Sequence, residues 1–195
     1  DDRDKAFAQE QLQRFGELIV QLETAGINIP LKHIANSGAI IDLPDSYYSM
    51  VRPGIMLYGY YPSHETTESI PLEPVLSLRS KINFLKEVNA NTSISYGRKY
   101  FTSSKTKIAT VPVGYADGYS RRLTNRIDAL IKGKRFPVVG TICMDQIMID
   151  VGPEGNVSVG DDVTLLGKDG HETVSAWNIA DTLGTIPYEI LTGIN

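Results

Sequence analysis

Residues 31–60 read LKHIANSGAIIDLPDSYYSMVRPGIMLYGY, and the punctuation of this stretch decides the class of fold. Residues 31–35 form a short run of strand character, and Ser37-Gly38 opens a brief helix-like piece that reaches Leu43. Met50-Val51 begins a second short strand, which breaks at Pro53-Gly54. Upstream, Ala8, Leu12, Phe15, Ile19 and Leu22 recur at alternating four- and three-residue spacing. With Leu18 they predict a helix over about residues 5–25 with one apolar stripe, opposed by Gln9, Gln13, Glu17 and Gln21. Gly26 supplies the stop and Pro30 forbids continuation. Helix, strand, short helix and short strand in succession is the order of a parallel α/β fold.

After Tyr60 the pattern changes. Pro62, Pro71 and Pro74 punctuate a polar loop, which predicts a boundary between residues 1–73 and 74–195. Leu76, Leu78, Ile82 and Phe84 then alternate with Ser77, Arg79, Lys81 and Asn83, the period of a strand with one wet face. Residues 108–113 are a denser apolar run, residues 146–151 alternate again, and residues 163–166 add a further short strand. Turn signals at Lys132-Gly133-Lys134 and Lys168-Asp169-Gly170 separate such segments. Ser175 can cap a helix carrying Ala176, Ile179, Ala180 and Leu183, stopped by Gly184. The second part therefore reads as a β-rich domain with one appended helix.

Composition removes several classes of function. With 42% hydrophobic and 22% charged residues, the 195-residue chain can build a core and is not broadly disordered. The net charge of −4, without a lysine or arginine block, argues against a nucleic-acid binder. The lone Cys143 excludes an intrachain disulfide framework and a cysteine zinc cage, and fits a reducing, cytoplasmic compartment. No apolar run approaches the ~20 residues of a membrane span. His33, His64 and His171 lack metal-ligand spacing, and no G-x-G-x-x-G, P-loop or G-x-S-x-G occurs.

Five short constellations remain. Asn36-Ser37-Gly38 sits at a strand end and helix start, where a hydroxyl and unpaired N–H groups suit an anion, although a plain capping serine explains it as well. Arg52-Pro53-Gly54-Ile55 offers a permanent cation, a glycine open to close approach and a backbone donor, against the plainer reading of a surface arginine before a turn. Together they are more informative, because phosphate sites in (β/α)₈ barrels recur at the loops after strands seven and eight. Ser95-Tyr96-Gly97 places a tyrosine on a turn, where it is either structural or an acid–base group whose pKa of about 10 is lowered by cations. Gly114-Tyr115-Ala116-Asp117-Gly118 suits a polar ligand gate or a hydrogen-bonded loop. Gly140-Thr141-Ile142-Cys143-Met144-Asp145-Gln146 reads as a buried strand interrupted by a carboxylate, with Cys143 a core thiol rather than a nucleophile, since no histidine adjoins it.

Taken together and in this order, these segments resemble the C-terminal half of the bacterial alanine racemase family. The resemblance lies in His33-Ile34-Ala35-Asn36-Ser37, Val51-Arg52-Pro53-Gly54-Ile55 with Tyr58-Gly59, Ser95-Tyr96-Gly97, Gly114-Tyr115-Ala116-Asp117-Gly118, Ile142-Cys143-Met144-Asp145-Gln146 and Pro187-Tyr188-Glu189. It implies the last βα units of a TIM-type, pyridoxal-phosphate-binding barrel over residues 1–73, followed by a mainly-β C-terminal domain over residues 74–195. It also implies a cytoplasmic enzyme that interconverts L- and D-alanine for peptidoglycan, built as a homodimer whose active sites draw on both subunits.

By the same resemblance Asn36, Ser37, the backbone of Gly54 and Ile55, and Tyr188 hold the cofactor, with Arg52 facing its pyridine nitrogen and His33 supporting Arg52. Tyr96 is the base for the L-enantiomer and acts across the dimer interface. The Met144 N–H binds the substrate carboxylate with Asp145 in support, and Tyr115 lines the entry. The family's cofactor lysine lies in a motif like K-A-N-A-Y-G-H-G, which does not occur in these 195 residues. The chain is accordingly expected to be a fragment, inactive by itself. Thr141 stands where the family often has an arginine. A serine or broad-specificity racemase, and a non-catalytic dimerisation or binding module, are the alternatives; an oligonucleotide-binding barrel would need a basic, aromatic stripe that is missing.

Overall fold

In a computed structural model that describes residues 2–194, the spaced apolar residues near the N-terminus form one face of helix α1 (Ala6–Thr24). Ala8, Leu12, Phe15, Ile19 and Leu22 are half-buried along that face, and the edge of the Phe15 ring meets Tyr48 with centroids 5.2 Å apart. Leu18, assigned to the stripe from sequence, lies off it and is 50% exposed. The helix ends at Ala25 and Gly26, whose φ of 78° reverses the chain. Lys5 pairs with Asp42 at 2.8 Å. Burial pushes the Asp42 carboxyl up, but hydrogen bonds from Lys5 and Thr67 outweigh it and hold its pKa below the usual carboxylate value.

Helix α2 (Ser37–Asp42) follows as expected, but the flanking residues 31–35 and 50–51 are not strands. Only two backbone bonds join them, from Ser49 N–H to Lys32 O and from Arg52 N–H to Ala35 O. The Lys32 N–H, which a ladder would need, donates instead to Ser49 Oγ at 2.7 Å. These segments belong to a first compact unit, Asp1–Val75; Leu76–Asn195 form a second.

The second unit is built on antiparallel pairs. Its strands are β1 (Leu78–Lys81), β2 (Phe84–Val88), β3 (Ser93–Ile94), β4 (Tyr100–Phe101), β5 (Thr106–Val111), β6 (Asp128–Ile131), β7 (Lys134–Val139), β8 (Ile147–Asp150), β9 (Asp162–Asp169) and β10 (Glu172–Val174). Eight of them form one sheet in the order β1-β9-β6-β7-β8-β5-β2, with β10 on β9, while β3 and β4 make a separate hairpin. Only Ile82 and Asn83 join β1 to β2, although these strands stand at opposite ends of that order. A connection so short brings the two ends of the sheet together, so the sheet curls into a barrel. The Ile82 N–H donates to Asp161 O on one side and the Asn83 N–H to Thr110 O on the other, where the chain changes partner. The single strand read across residues 76–84 is therefore two, and Phe84, expected to face inward with Ile82, is 54% exposed.

The core lies inside this sheet: Ile108, Val111, Leu130, Ile131, Val138, Ile147, Ile149, Leu165 and Leu166 have almost no exposed surface. The β6–β7 turn holds Lys132 at φ 51° and Gly133 at φ 70°, the paired left-handed conformation of a tight hairpin. Helix α3 (Ala176–Leu183) carries the expected Ser175 cap, which accepts from the Asn178 N–H, and ends at Gly184 in the left-handed conformation. Helix α4 (Pro187–Thr192) begins at a proline, which has no N–H to leave unpaired.

Candidate functional site

In the first unit, the residues on either side of α2 converge. Asn36, not Ser37, caps the helix: its Oδ1 accepts from the Ala39 N–H at 3.0 Å. That leaves the Ser37 hydroxyl, buried at 4% exposure, to accept from the Gly54 N–H at 2.8 Å, with the Met56 N–H at 3.5 Å. A hydroxyl that accepts on its lone pairs still has a proton to give. A Cβ placed on Gly54 would stand 3.7 Å from Ser37 Oγ, so the turn presents an open cradle beside a buried hydroxyl. Ile55, buried at 3% exposure, starts the following 3₁₀ turn (Ile55–Tyr58).

Arg52 Nη1 lies 2.5 Å from His33 Nδ1 and also donates to the His33 carbonyl at 3.4 Å. Arginine has no acceptor, so it donates in the first contact and the Nδ1 of His33 receives it. Asn36, Ser37, Arg52, Gly54, Ile55 and His33 are thus gathered as an anion cradle with a fixed cation. The donor set fits a phosphorylated cofactor.

The second unit gathers Tyr115 and Met144. Tyr115 N–H donates to Cys143 O at 3.0 Å and Ala116 N–H to Met144 O at 2.9 Å, so the two loops lie edge to edge. Gly114 permits this approach, since a Cβ there would come within 2.3 Å of Met144 O. Asp117 accepts from the Gly114 N–H at 2.8 Å and closes its own turn. The Met144 N–H donates to none of the described residues. Met144 is 58% and Tyr115 42% exposed, and Asp145 is exposed on the same loop.

Residues 140–146 are not the buried strand read from sequence but the loop between β7 and β8. Cys143 is half-buried rather than a core thiol, its Sγ 3.5 Å from Ser95 Oγ. The pattern failed here because its apolar residues serve a loop, closed by the Cys143 N–H on Gln146 O at 3.0 Å, and not a ladder.

Tyr96 stands at the tip of the β3–β4 hairpin and is 76% exposed. The neighbouring Arg98 is turned onto Phe101, its guanidinium carbon 5.2 Å from the ring centroid. Thr141 Oγ1 donates to the Tyr96 carbonyl at 2.7 Å, which links this hairpin to the loop carrying Met144. Tyr188 lies on α4, where burial raises its phenol above the usual tyrosine range. Sequence reasoning missed Asn125, Asp150 and Tyr100, whose roles are described below; the only local signal was Asn125, a residue type that tolerates a left-handed backbone.

No described helix is long and apolar enough to cross a membrane, and no group of three or more His, Cys, Asp or Glu among the described residues could hold a metal.

Comparisons with known proteins identify the family. Residues 75–195 match the family model "Alanine racemase, C-terminal domain" and residues 1–62 match "Alanine racemase, N-terminal domain". Alanine racemase 2 of Caldanaerobacter subterraneus is 50% identical over 195 residues, all of this chain and 50% of the relative. The alanine racemase of Methanococcus maripaludis is 50% identical over 192 residues, 98% of this chain and 51% of the relative. Among solved structures, the alanine racemase of Clostridium difficile in complex with cycloserine matches with a TM-score of 0.94 and 45% identity, covering 100% of this chain and 51% of that one. The Bacillus anthracis enzyme with bound L-Ala-P matches at a TM-score of 0.91 and 39% identity, covering 98% of this chain and 50% of that one. The chain therefore spans about half the length of the relatives it matches. Over that span it has their fold class, the last α/β units of a TIM-type barrel followed by a mainly-β domain.

Proposed function

The chain belongs to the alanine racemase family, and from that premise we propose that it is the C-terminal half of a pyridoxal-phosphate-dependent enzyme interconverting L- and D-alanine. The observation that carries the reaction class is the Arg52–His33 contact. A guanidinium does not give up its proton, so Arg52 placed against the cofactor's ring nitrogen would leave that nitrogen unprotonated. That would favour returning the proton to the α-carbon over transamination.

Ser37 and the Gly54–Ile55 turn hold the cofactor phosphate, with Asn36 fixing the helix that presents Ser37, and Tyr188 is a further donor to it. When bound, pyridoxal phosphate withdraws electrons from the α-carbon and makes its proton removable. The Met144 N–H, which has no partner among the described residues, receives the substrate carboxylate, with Asp145 beside it in support. Tyr115, on the adjoining turn, lines the entry. The Tyr96 oxygen would take the α-proton of L-alanine from one face, and the replacing proton would arrive from the opposite face. A second base on the opposite face, a lysine from the part of the enzyme outside these 195 residues, completes racemisation, so this chain alone is inactive.

The complete enzyme is a homodimer in which Tyr96 serves the partner's cofactor. The lone Cys143 suits a reducing cytoplasm, and the product supplies D-alanine for peptidoglycan.

Steady-state rates of the complete protein on alanine, serine and lysine test the assignment. Alanine is expected to have a kcat/KM at least about tenfold above the others, because the Tyr188 phenol beside the substrate side chain would leave little room beyond a methyl. A preference for serine or lysine would contradict it. A parent protein that binds no pyridoxal phosphate would leave only a dimerisation module.

A further inference from the structure

The loop that presents Tyr96 is held in a conformation its own sequence does not favour. Ser95 has φ 63° and ψ −179°, a region that belongs almost to glycine alone, and Gly97 and Arg98 follow at φ 72° and 50°. Such a backbone persists only when its surroundings fix it. Here the surroundings are specific. Ser95 Oγ donates to the Thr141 carbonyl at 2.6 Å, and Thr141 Oγ1 donates back to the Tyr96 carbonyl at 2.7 Å. Asn125 extends the clamp, accepting from the Gly140 N–H at 2.6 Å and donating to the Lys99 carbonyl at 3.3 Å. Gly140 is pressed against the hairpin, since a Cβ there would come within 2.7 Å of Ile94 O. Thr141 itself is 3% exposed, so water competes little for its hydroxyl.

We infer that Thr141 is a positioning residue for Tyr96: with Ser95 it forms a reciprocal clamp that fixes the left-handed loop and so aims the phenol. This deepens the proposed function and rests on the reading of Tyr96 as the L-side base. Thr141 touches no reacting atom; it acts through the Tyr96 backbone. The position is therefore a device for geometry in this chain.

The test uses the complete protein and the variants Thr141→Val, which keeps volume but removes the donor, and Thr141→Ser, which restores it. Hydrogen–deuterium exchange of the amides of residues 93–101 reads the clamp without catalysis. Loss of one such bond is expected to speed it about tenfold in Thr141→Val, with wild-type rates returning in Thr141→Ser. Exchange of the α-proton into solvent reads the consequence. Exchange from L-alanine should fall about tenfold in Thr141→Val while exchange from D-alanine stays within about twofold, because a misaimed group loses transition-state contacts on its own face only. Thr141→Ser should restore both.

Wild-type behaviour of Thr141→Val in both measurements would overturn the inference. So would equal losses for the two enantiomers with a lowered Tm that serine does not rescue, the mark of a merely structural residue. Tyr96→Phe serves as the control. If it fails to act on the L side selectively, the base assignment falls, while the exchange measurement still decides whether Thr141 holds the loop.

Discussion

The hydroxyl of Ser37 accepts from the Gly54 N–H at 2.8 Å and keeps its own proton as a donor, which is why the proposed phosphate site turns on it. Ser37→Ala in the complete protein should therefore weaken retention of pyridoxal phosphate by about tenfold or more, the worth of one charge-assisted hydrogen bond. Dialysis followed by absorbance of the remaining cofactor measures this, and unchanged retention would remove Ser37 from the cradle. At this scale the sequence is ambiguous for a concrete reason. Asn36 and Ser37 are both good helix caps, and only the fold decides that Asn36 takes the Ala39 N–H. The Arg52–His33 pair was equally hidden in spacing, since two residues brought together by a turn leave no periodic trace.

Among the elements, the β3–β4 hairpin is tied to the barrel through Asp150 on β8. Its carboxylate accepts from Tyr100 at 2.9 Å, from Thr106 at 2.5 Å and from the Gly152 N–H at 3.0 Å. Burial, then the bond to Asp150 and its charge, push the Tyr100 phenol from 10.0 up to about 12. The fold favours the protonated phenol. The stability it contributes is whole below pH 10 and is lost as the pH climbs toward 12. Burial raises Tyr119 in the same direction. Thermal midpoints measured across that interval should fall in the wild-type protein and fall less steeply in Tyr100→Phe; parallel curves would mean that the Tyr100 bond carries no pH-dependent stability. The helices α1 and α3 were legible because periodicity and caps are local. The strands read at residues 31–35 and 50–51 were not, because a strand exists only through its partner and Ser49 occupies the donor that a ladder needs. The β6–β7 turn was visible at Lys132-Gly133 while its strands were not, charged and proline residues masking the period.

At the scale of the whole molecule, the chain divides into two compact units. The change of grammar after Tyr60 was legible because proline spacing and a shift from helical to alternating patterns are properties of long stretches. The closing of the second unit into a barrel was not, since it depends on β1 and β2 meeting from opposite ends of the sheet order. The central claim is that this chain contributes one of two bases, Tyr96, to a racemase about twice its length. The most direct test is enantiomer-resolved exchange of the α-proton with solvent in the complete protein carrying Tyr96→Phe. Exchange from L-alanine is expected to fall by about 10²-fold or more, the usual contribution of a general base, with exchange from D-alanine far less affected. Equal loss from both enantiomers would contradict the account.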